Sequence, residues 1–216
     1  MRKLTLMAVL CATLLAACHN GDYTPKPQAY VRIDMPEHNY WLVDTLSIHA
    51  GDTIIYNSDT MVLLSGINKT FPFIFEANTC VEIAEKDAPK GEVWVDLKYP
   101  QWDGVVFLTY KRLAGADDMR GQIDTSSRLL EKHYQLASGV DEQRFDSDDG
   151  TVHAITWRLM GNKVASTYQF YATDSAHHFL RGGLFLNRTP NNDSLAPILN
   201  YIQADIDHLI ETLRWR

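Results

Sequence analysis

The regular alternation of apolar and polar side chains is the feature that most limits how this chain of 216 residues can fold. Successive side chains of a β-strand point to opposite faces, so a period of two predicts strands with one buried face. Glu92–Tyr99 shows this period, and so does the segment 105–111. Segment 100–104 lies between them, contains Pro and Gly, and predicts a turn.

The same signals predict several further strands. These are the segments 30–34, 53–57, 73–76, 80–84, 152–160, 164–173 and 178–187. Gly161-Asn162-Lys163 predicts the turn of a hairpin between segments 152–160 and 164–173. The paired glycines Gly182 and Gly183 in the last segment indicate a bulge or the close approach of a neighbouring element.

Two segments carry the period of an α-helix. Residues 125–137 follow Asp124, which is predicted to cap the helix, and a Ser-Gly pair follows them. The second predicted helix is C-terminal, and its apolar stripe alternates steps of four and three residues. The stripe consists of Leu195, Leu199, Ile202, Ile206, Leu209 and Leu213. Asn192 or Asp193 is predicted to cap this helix.

The C-terminal stripe favours packing onto a sheet of the same chain. An isolated amphipathic stripe usually faces a core, whereas the alternative, a coiled-coil partner, rests on only three heptads. At 1.5 Å per residue such a helix spans about 30 Å, enough to cross a sheet. The predicted fold class is therefore α+β, a mainly antiparallel sheet packed by a long C-terminal helix and one further helix.

The N-terminus has the layout of a lipoprotein export signal. Arg2 and Lys3 precede an uncharged, mostly apolar run at 4–15, which is shorter than the about 20 apolar residues of a membrane-spanning helix. Leu15-Ala16-Ala17-Cys18 resembles the lipobox read by lipoprotein signal peptidase. We predict a signal peptide at 1–17, lipid attachment at Cys18, a lipidated tether at 18–27 and a single globular domain at 28–216. An uncleaved anchor or a buried helix is the alternative.

Charge and cysteine content limit the partners. Loss of the signal peptide takes Lys plus Arg from 20 to 18 against 27 acidic residues, so the predicted mature charge is −9. An acidic chain without a basic stripe argues against binding to nucleic acid or to anionic lipid headgroups. The expected membrane contact is the lipid on Cys18. Cys80 would be the one cysteine of the folded part, and a buried structural thiol is favoured over a nucleophile.

The sequence shows no known catalytic motif, and we predict no catalytic residue, metal ion or cofactor. His177 and His178 would point to opposite faces of a strand, so one surface and one packed histidine are expected. The acidic segment 141–149 predicts a solvated loop rather than a calcium site. Trp157 stands where an EF-hand loop beginning at Asp146 would need glutamate.

A recurrent triplet of Asp, then Ser or Thr, then a small or aliphatic residue occurs at five positions. They begin at Asp44, Asp52, Asp59, Asp174 and Asp193. The triplet resembles the O-glycosylation acceptor of some exported bacterial proteins, which makes Thr45, Thr53, Thr60 and Ser175 candidate sites. Ordinary turn and cap chemistry explains the triplets equally well, and Asp193 fits a helix cap better.

Several blocks, in order and spacing, resemble the GldD family of gliding-motility lipoproteins of Bacteroidota. They are DYTPKP at 22–27, AYVRIDMP at 29–36, ASTYQFYATDS at 165–175, HFLRGGLF at 178–185, PNNDSL at 190–195 and ETLRW at 211–215. The resemblance implies a non-catalytic envelope lipoprotein that serves gliding motility with the type IX secretion machinery. His19 rather than aspartate follows Cys18, which favours the outer membrane, facing the periplasm.

Three expectations accompany this resemblance. The segment between Tyr40 and Phe71 is longer than the family pattern and predicts an additional hairpin, which could serve, like the sheet face, to dock envelope partners. The Phe-Leu-Arg-Gly strand followed by a long helix looks like a PsbP/Mog1-type α-β-α sandwich.

The alternative function is an envelope glycan- or ligand-binding lipoprotein, hydrolytic or not, with Trp94, Trp102 and Trp157 around its pocket.

Overall fold

A computed structural model describes residues 34–48, 53–56, 59–62 and 67–216 of the chain. The predicted signal peptide, Cys18, the tether and nearly all of the predicted strand 30–34 lie outside these ranges. In the described part, no helix is both long enough and apolar enough to cross a membrane.

The described ranges contain twelve strands and two α-helices. The strands are β1 (Tyr40–Ile48), β2 (Thr53–Tyr56), β3 (Asp59–Val62), β4 (Ile67–Asn78), β5 (Glu82–Lys86), β6 (Glu92–Tyr99), β7 (Gly104–Arg112), β8 (Gly139–Asp146), β9 (His153–Met160), β10 (Tyr168–Thr173), β11 (His178–Leu186) and β12 (Arg214–Trp215). The helices are α1 (Ala116–Tyr134) and α2 (Asn192–Thr212), and a 3-10 turn spans Pro100–Trp102.

The strands of these ranges form three antiparallel sheets. The largest has seven strands in the order β5-β6-β7-β11-β10-β9-β8, the second has the order β1-β4-β12, and β2 pairs with β3 alone. The β2–β3 pair is the additional hairpin predicted between Tyr40 and Phe71. The α+β prediction is confirmed.

Helix α2 packs on one face of the seven-stranded sheet, called here the inner face, beside the three-stranded sheet. Its apolar stripe, with Ile202, Ile206 and Leu209 almost fully buried, lies in one core with alternate residues of β6, β7, β10 and β11. Phe73 of β4 joins this core and packs against Tyr110 of β7. The stripe therefore faces a core of its own chain, as predicted.

Helix α1 covers part of the opposite, outer face. Leu130 and Ile123 of this helix pack against Trp157, Tyr171 and Phe179 of β9, β10 and β11. Helices thus lie on both faces of the seven-stranded sheet, which is the layer order of an α-β-α sandwich.

The predicted start of α1 is wrong. The helix begins at Ala116 rather than at residue 125, so Asp124 lies inside it and caps nothing. Asp118 supports the observed start, because its carboxylate accepts the backbone N–H of Ala114 at 3.1 Å and an ammonium proton of Lys111 at 2.8 Å. The first two turns are too polar to show a helical stripe in the sequence.

The predicted caps of α2 are also wrong. The N-cap is Asn191, and neither Asn192 nor Asp193 caps the helix. The Asn192 amide instead donates to the carbonyl oxygens of Gly161 and Val164, at 2.7 and 2.9 Å. The start of α2 is thereby held against the loop that follows β9.

The acidic segment 141–149 is a strand over most of its length, because β8 runs to Asp146. It is an edge strand whose charged side chains are largely exposed, as expected of an edge that avoids pairing with other chains. Strand β1 is likewise absent from the predicted strands. The predicted strand 164–173 begins only at Tyr168.

Candidate functional site

A buried polar cluster surrounds Asp205 of α2, a residue that is 4% exposed. One carboxylate oxygen, Oδ1, accepts hydrogen bonds from Tyr40 Oη at 3.1 Å and Asn78 Nδ2 at 3.0 Å, and lies 2.7 Å from His38 Nδ1. The other oxygen accepts a hydrogen bond from Tyr99 Oη at 3.0 Å. A carboxylate shielded from water needs such donors, because an unpaired buried charge is very costly.

The Asp205 cluster attaches the segment 38–40 to α2. His38 stacks on Tyr201 at 4.0 Å between ring centroids, and Tyr40 stacks on His208 at 3.7 Å. Burial, and then the Asp205 charge, raise the pKa of Tyr40, so this phenol remains a donor at neutral pH. Because its donors and acceptors satisfy one another, the cluster has the character of a structural anchor.

Cys80 lies beside this cluster, in the turn between β4 and β5 rather than in a strand, and is half-buried. Burial raises the pKa of its thiol, which lowers the thiolate fraction available for nucleophilic attack. Its backbone N–H donates to Asn78 Oδ1 at 3.1 Å. The thiol thus fits the predicted structural role, although it is less buried than expected.

The histidine prediction is confirmed. His177 is exposed, just before β11, and His178 is buried within β11. The end of the acidic segment forms a turn in which Asp149 Oδ1 accepts hydrogen bonds from Ser147 Oγ and from the backbone and side chain of Thr151. Across the ranges that the structure describes, no three or more His, Cys, Asp or Glu side chains are grouped so that they could hold a metal ion.

The candidate O-glycosylation residues fall into two groups. Thr45, Thr53 and Thr60 lie in β1, β2 and β3, and their side chains are outside the described part. Ser175 is exposed at a left-handed φ of 64°, in a turn where the Asp174 carboxylate accepts three backbone N–H groups. Turn chemistry thus accounts for this triplet, while modification of these residues remains a prediction.

The three tryptophans proposed for a glycan pocket do not converge. Trp102 is buried on the inner side, against Tyr99 and Tyr201. Trp157 is buried in the core under α1. Trp94 alone of the three lies on the open part of the outer face, 36% exposed. The expected arrangement is therefore wrong. Trp102 lies on the other side of the sheet from Trp94, and Trp157, on the same face as Trp94, is four strands away on β9 and covered by α1.

A cavity of about 470 Å³ opens on the outer face, where the sheet emerges from beneath α1. Trp94, Thr109 and Arg181 form one cross-strand row of its floor, on β6, β7 and β11. Phe107, 37% exposed, belongs to the next row. Gln122 of α1 lines the wall. This cavity is called the outer-face cavity below.

Ion pairs within the chain neutralise most charges around the outer-face cavity. Lys86 Nζ lies 2.6 Å from Asp96 Oδ2, and Lys111 Nζ lies 2.8 Å from Asp118 Oδ1. Arg181 differs, since its guanidinium makes neither an ion pair nor a hydrogen bond with any residue that the structure describes. This arrangement can hold an anionic group.

Sequence reasoning missed both Asp205 and Arg181 as centres of polar contact. Arg181 stands within the apolar run of β11, where a charged residue is a signal of special use. Asp205 lies between apolar positions of α2 and carries the same signal. Neither signal identifies the partners, because those come from distant parts of the chain.

Comparison with known proteins adds one finding. The family model described as gliding motility lipoprotein GldD matches residues 55–215. The comparisons with curated proteins and with solved structures returned no match. The matched range contains the whole seven-stranded sheet and both helices. The chain therefore belongs to the GldD family of gliding motility lipoproteins.

Proposed function

We propose that this protein is a non-catalytic accessory component of gliding motility and type IX protein secretion at the cell envelope. Membership of the GldD family is the observation that carries the proposal. The protein would act by binding envelope proteins while a lipid holds it at the membrane.

The geometry of the outer-face cavity supports a non-catalytic role. Glu92 and Asp96, its two carboxylate residues, stand four positions apart on β6, which places their Cα atoms about 13 Å apart along the strand. Glycosidase pairs need about 5 to 9.5 Å. Both carboxylates also have partners, since Trp94 Nε1 donates to Glu92 and Lys86 pairs with Asp96.

The proposed anchor is the lipid on Cys18, in the outer membrane and facing the periplasm. The acyl chains expected on a bacterial lipoprotein supply the several buried chains that stable anchoring requires. The Asp205 cluster suits such an anchor, because it ties the chain at 38–40, twenty residues after Cys18, into the core of the domain.

Strand β1 is the proposed docking surface for an envelope protein. It forms one edge of the three-stranded sheet in the described part. Trp41 and Leu42, on opposite faces of this strand, are 43% and 58% exposed. Large exposed apolar side chains beside an open strand edge are typical of a protein contact.

The proposal can be tested in a strain that lacks the gene. Full-length wild-type protein should restore spreading on agar and secretion of type IX cargo, whereas Trp41→Ser/Leu42→Ser protein should accumulate normally and fail to restore either. Val140→Ser/Met160→Ser is the matched control, because these side chains are comparably exposed at the far edge of the other sheet.

A photo-crosslinking residue at Leu42 in the intact cell should capture an envelope protein that is not captured from Val140. Gliding and secretion that persist without the gene would contradict the accessory role itself. Full activity of the Trp41→Ser/Leu42→Ser variant would contradict only the choice of β1 as the docking surface.

A further inference from the structure

Arg181 is the one cationic side chain of the outer-face cavity that lacks a partner in the described chain. Lys86 and Lys111 are held by Asp96 and Asp118. Arg181 lies in the middle of the sheet, between Thr109 of β7 and the next strand, β10. A guanidinium in this position keeps its charge and offers a planar fork of N–H donors.

The charges left outside ion pairs favour a ligand with a single negative charge. Asp96 and Asp118 neutralise Lys86 and Lys111, so Arg181 is the one cationic side chain of the lining whose charge no ion pair within the described residues offsets. Glu92 is the nearby charge that acts on Arg181, yet the two form no ion pair, and Glu92 Oε2 instead accepts the Trp94 indole proton at 2.9 Å. A carboxylate matches the fork of Arg181, whereas a doubly charged phosphate would be repelled by Glu92 and Asp96.

The remaining lining suits a sugar ring. Trp94 offers an exposed aromatic face, and its indole is held in place by Glu92. The apolar face of a sugar ring packs on such a surface, and side chains such as Thr109, Gln122 and Thr125 can bind its hydroxyl groups. A peptide that adds a strand would need a sheet edge instead, and this cavity lies on a sheet face.

The neighbouring space suits a chain of sugars rather than one ring. A second cavity, of about 580 Å³, adjoins the first and shares Lys86, Asp96 and Phe107 with it. Phe107 is held between Lys86 Nζ, 5.0 Å from its ring centroid, and Phe185. The two cavities thus lie side by side over β5, β6 and β7.

We infer that the outer-face cavity binds an acidic glycan, with Arg181 pairing with a sugar carboxylate and Trp94 stacking on the ring that carries it. This goes beyond an accessory role, which requires only protein contacts. It also differs from the three-tryptophan pocket, because the specificity comes from an arginine.

Binding can be measured on the full-length lipidated protein in detergent micelles, by calorimetry and by saturation-transfer NMR. The probe is a tetrasaccharide of alternating glucuronic acid and N-acetylglucosamine, and the neutral counterpart is the tetrasaccharide of N-acetylglucosamine. The acidic tetrasaccharide should bind at least about tenfold more tightly. A charge-assisted bidentate hydrogen bond contributes a binding free energy that corresponds to about this change in Kd.

Arg181→Gln should remove this preference, and Trp94→Ala should weaken binding of both tetrasaccharides. Lys163→Gln, in an exposed turn, removes the same charge elsewhere and should change nothing. Trp94→Ala keeps the test decisive if Arg181→Gln does not fold, because Trp94 is on the surface. Equal binding of both sugars, an unaffected Trp94→Ala variant, or tighter binding of a peptide with a free C-terminal carboxylate would overturn the inference.

Discussion

Gly182 shows at the level of one residue why β11 carries paired glycines. It lies between Leu108 and Phe170 on the neighbouring strands, in an unbroken register, so the pair reflects a close approach rather than a bulge. A Cβ at Gly182 would overlap the buried Phe170 ring and lie 3.1 Å from Leu108 Cδ2. At Gly183 the nearest atom would be 3.5 Å away, an ordinary contact.

We therefore expect Gly182→Ala to lower the free energy of unfolding by about 1 to 3 kcal/mol, the usual effect of overpacking a core. Gly183→Ala is the matched control and should change stability little. Urea unfolding of the two variants measures the difference. Equal effects would mean that Phe170 moves aside at no cost.

His178 should make stability depend on pH. Burial lowers the pKa of this histidine below its ordinary 6.5, against the opposing effect of Asp174, while Arg112 and His177 lower it further. Below pH 6.5 the unfolded chain binds a proton at this position and the folded chain does not. The free energy of unfolding therefore falls as the pH drops from 6.5 towards the folded-state pKa. Above pH 6.5 the stability that neutral His178 contributes is fully present.

Comparing urea unfolding at about pH 7.5 and about pH 5.5 tests this prediction. His178→Gln should reduce the loss of stability at the lower pH. His177→Gln, at the exposed neighbour, should keep most of the wild-type loss, because His177 has the smallest of the effects that lower the pKa of His178. A wild-type loss in His178→Gln protein would assign the effect to other groups.

At the level of elements, the Asp205 cluster joins a segment without regular structure to a helix more than 160 residues away in sequence. Asp205→Asn removes one acceptor oxygen and the charge while keeping the shape. We expect a loss of about 2 to 3 kcal/mol in the free energy of unfolding, because buried donors lose their acceptor.

Hydrogen exchange should also accelerate selectively at residues 34–40 in the Asp205→Asn protein. Glu211→Gln, an exposed position of the same helix, is the control and should show neither effect. Uniform acceleration over the whole domain would show that the cluster stabilises the core in general rather than anchoring this segment.

For the whole molecule, the predicted lipid on Cys18 decides where the protein works. Cys18→Ser should abolish labelling by radioactive palmitate and move the protein from the membrane fraction to the soluble fraction, since a domain without its acyl chains has no other expected membrane contact. Motility and secretion should then be lost at a normal protein level. Unchanged fractionation of the Cys18→Ser protein would contradict the anchor.

The parts of the fold with strong local periodicity could be predicted from sequence. Alternation in β6 and β7 and the stripe of α2 follow from burial on one face, which each segment shows by itself. The start of α1 and the edge strand β8 could not be predicted this way. Their exposed residues are polar, and their conformation depends on contacts with Lys111 and with β9.

By itself, the sequence determined the α+β class, the packing of α2 onto its own sheet and the family, because these depend on patterns that run along the chain. Only the tertiary structure decided which side chains meet. It separated Trp94 from Trp102 and Trp157, gathered four donor side chains around Asp205, and left Arg181 in an open cavity without a partner among the described residues. Strand register and packing bring such side chains into contact. The local sequence around each residue does not predict these contacts, because the partners are far apart in the chain.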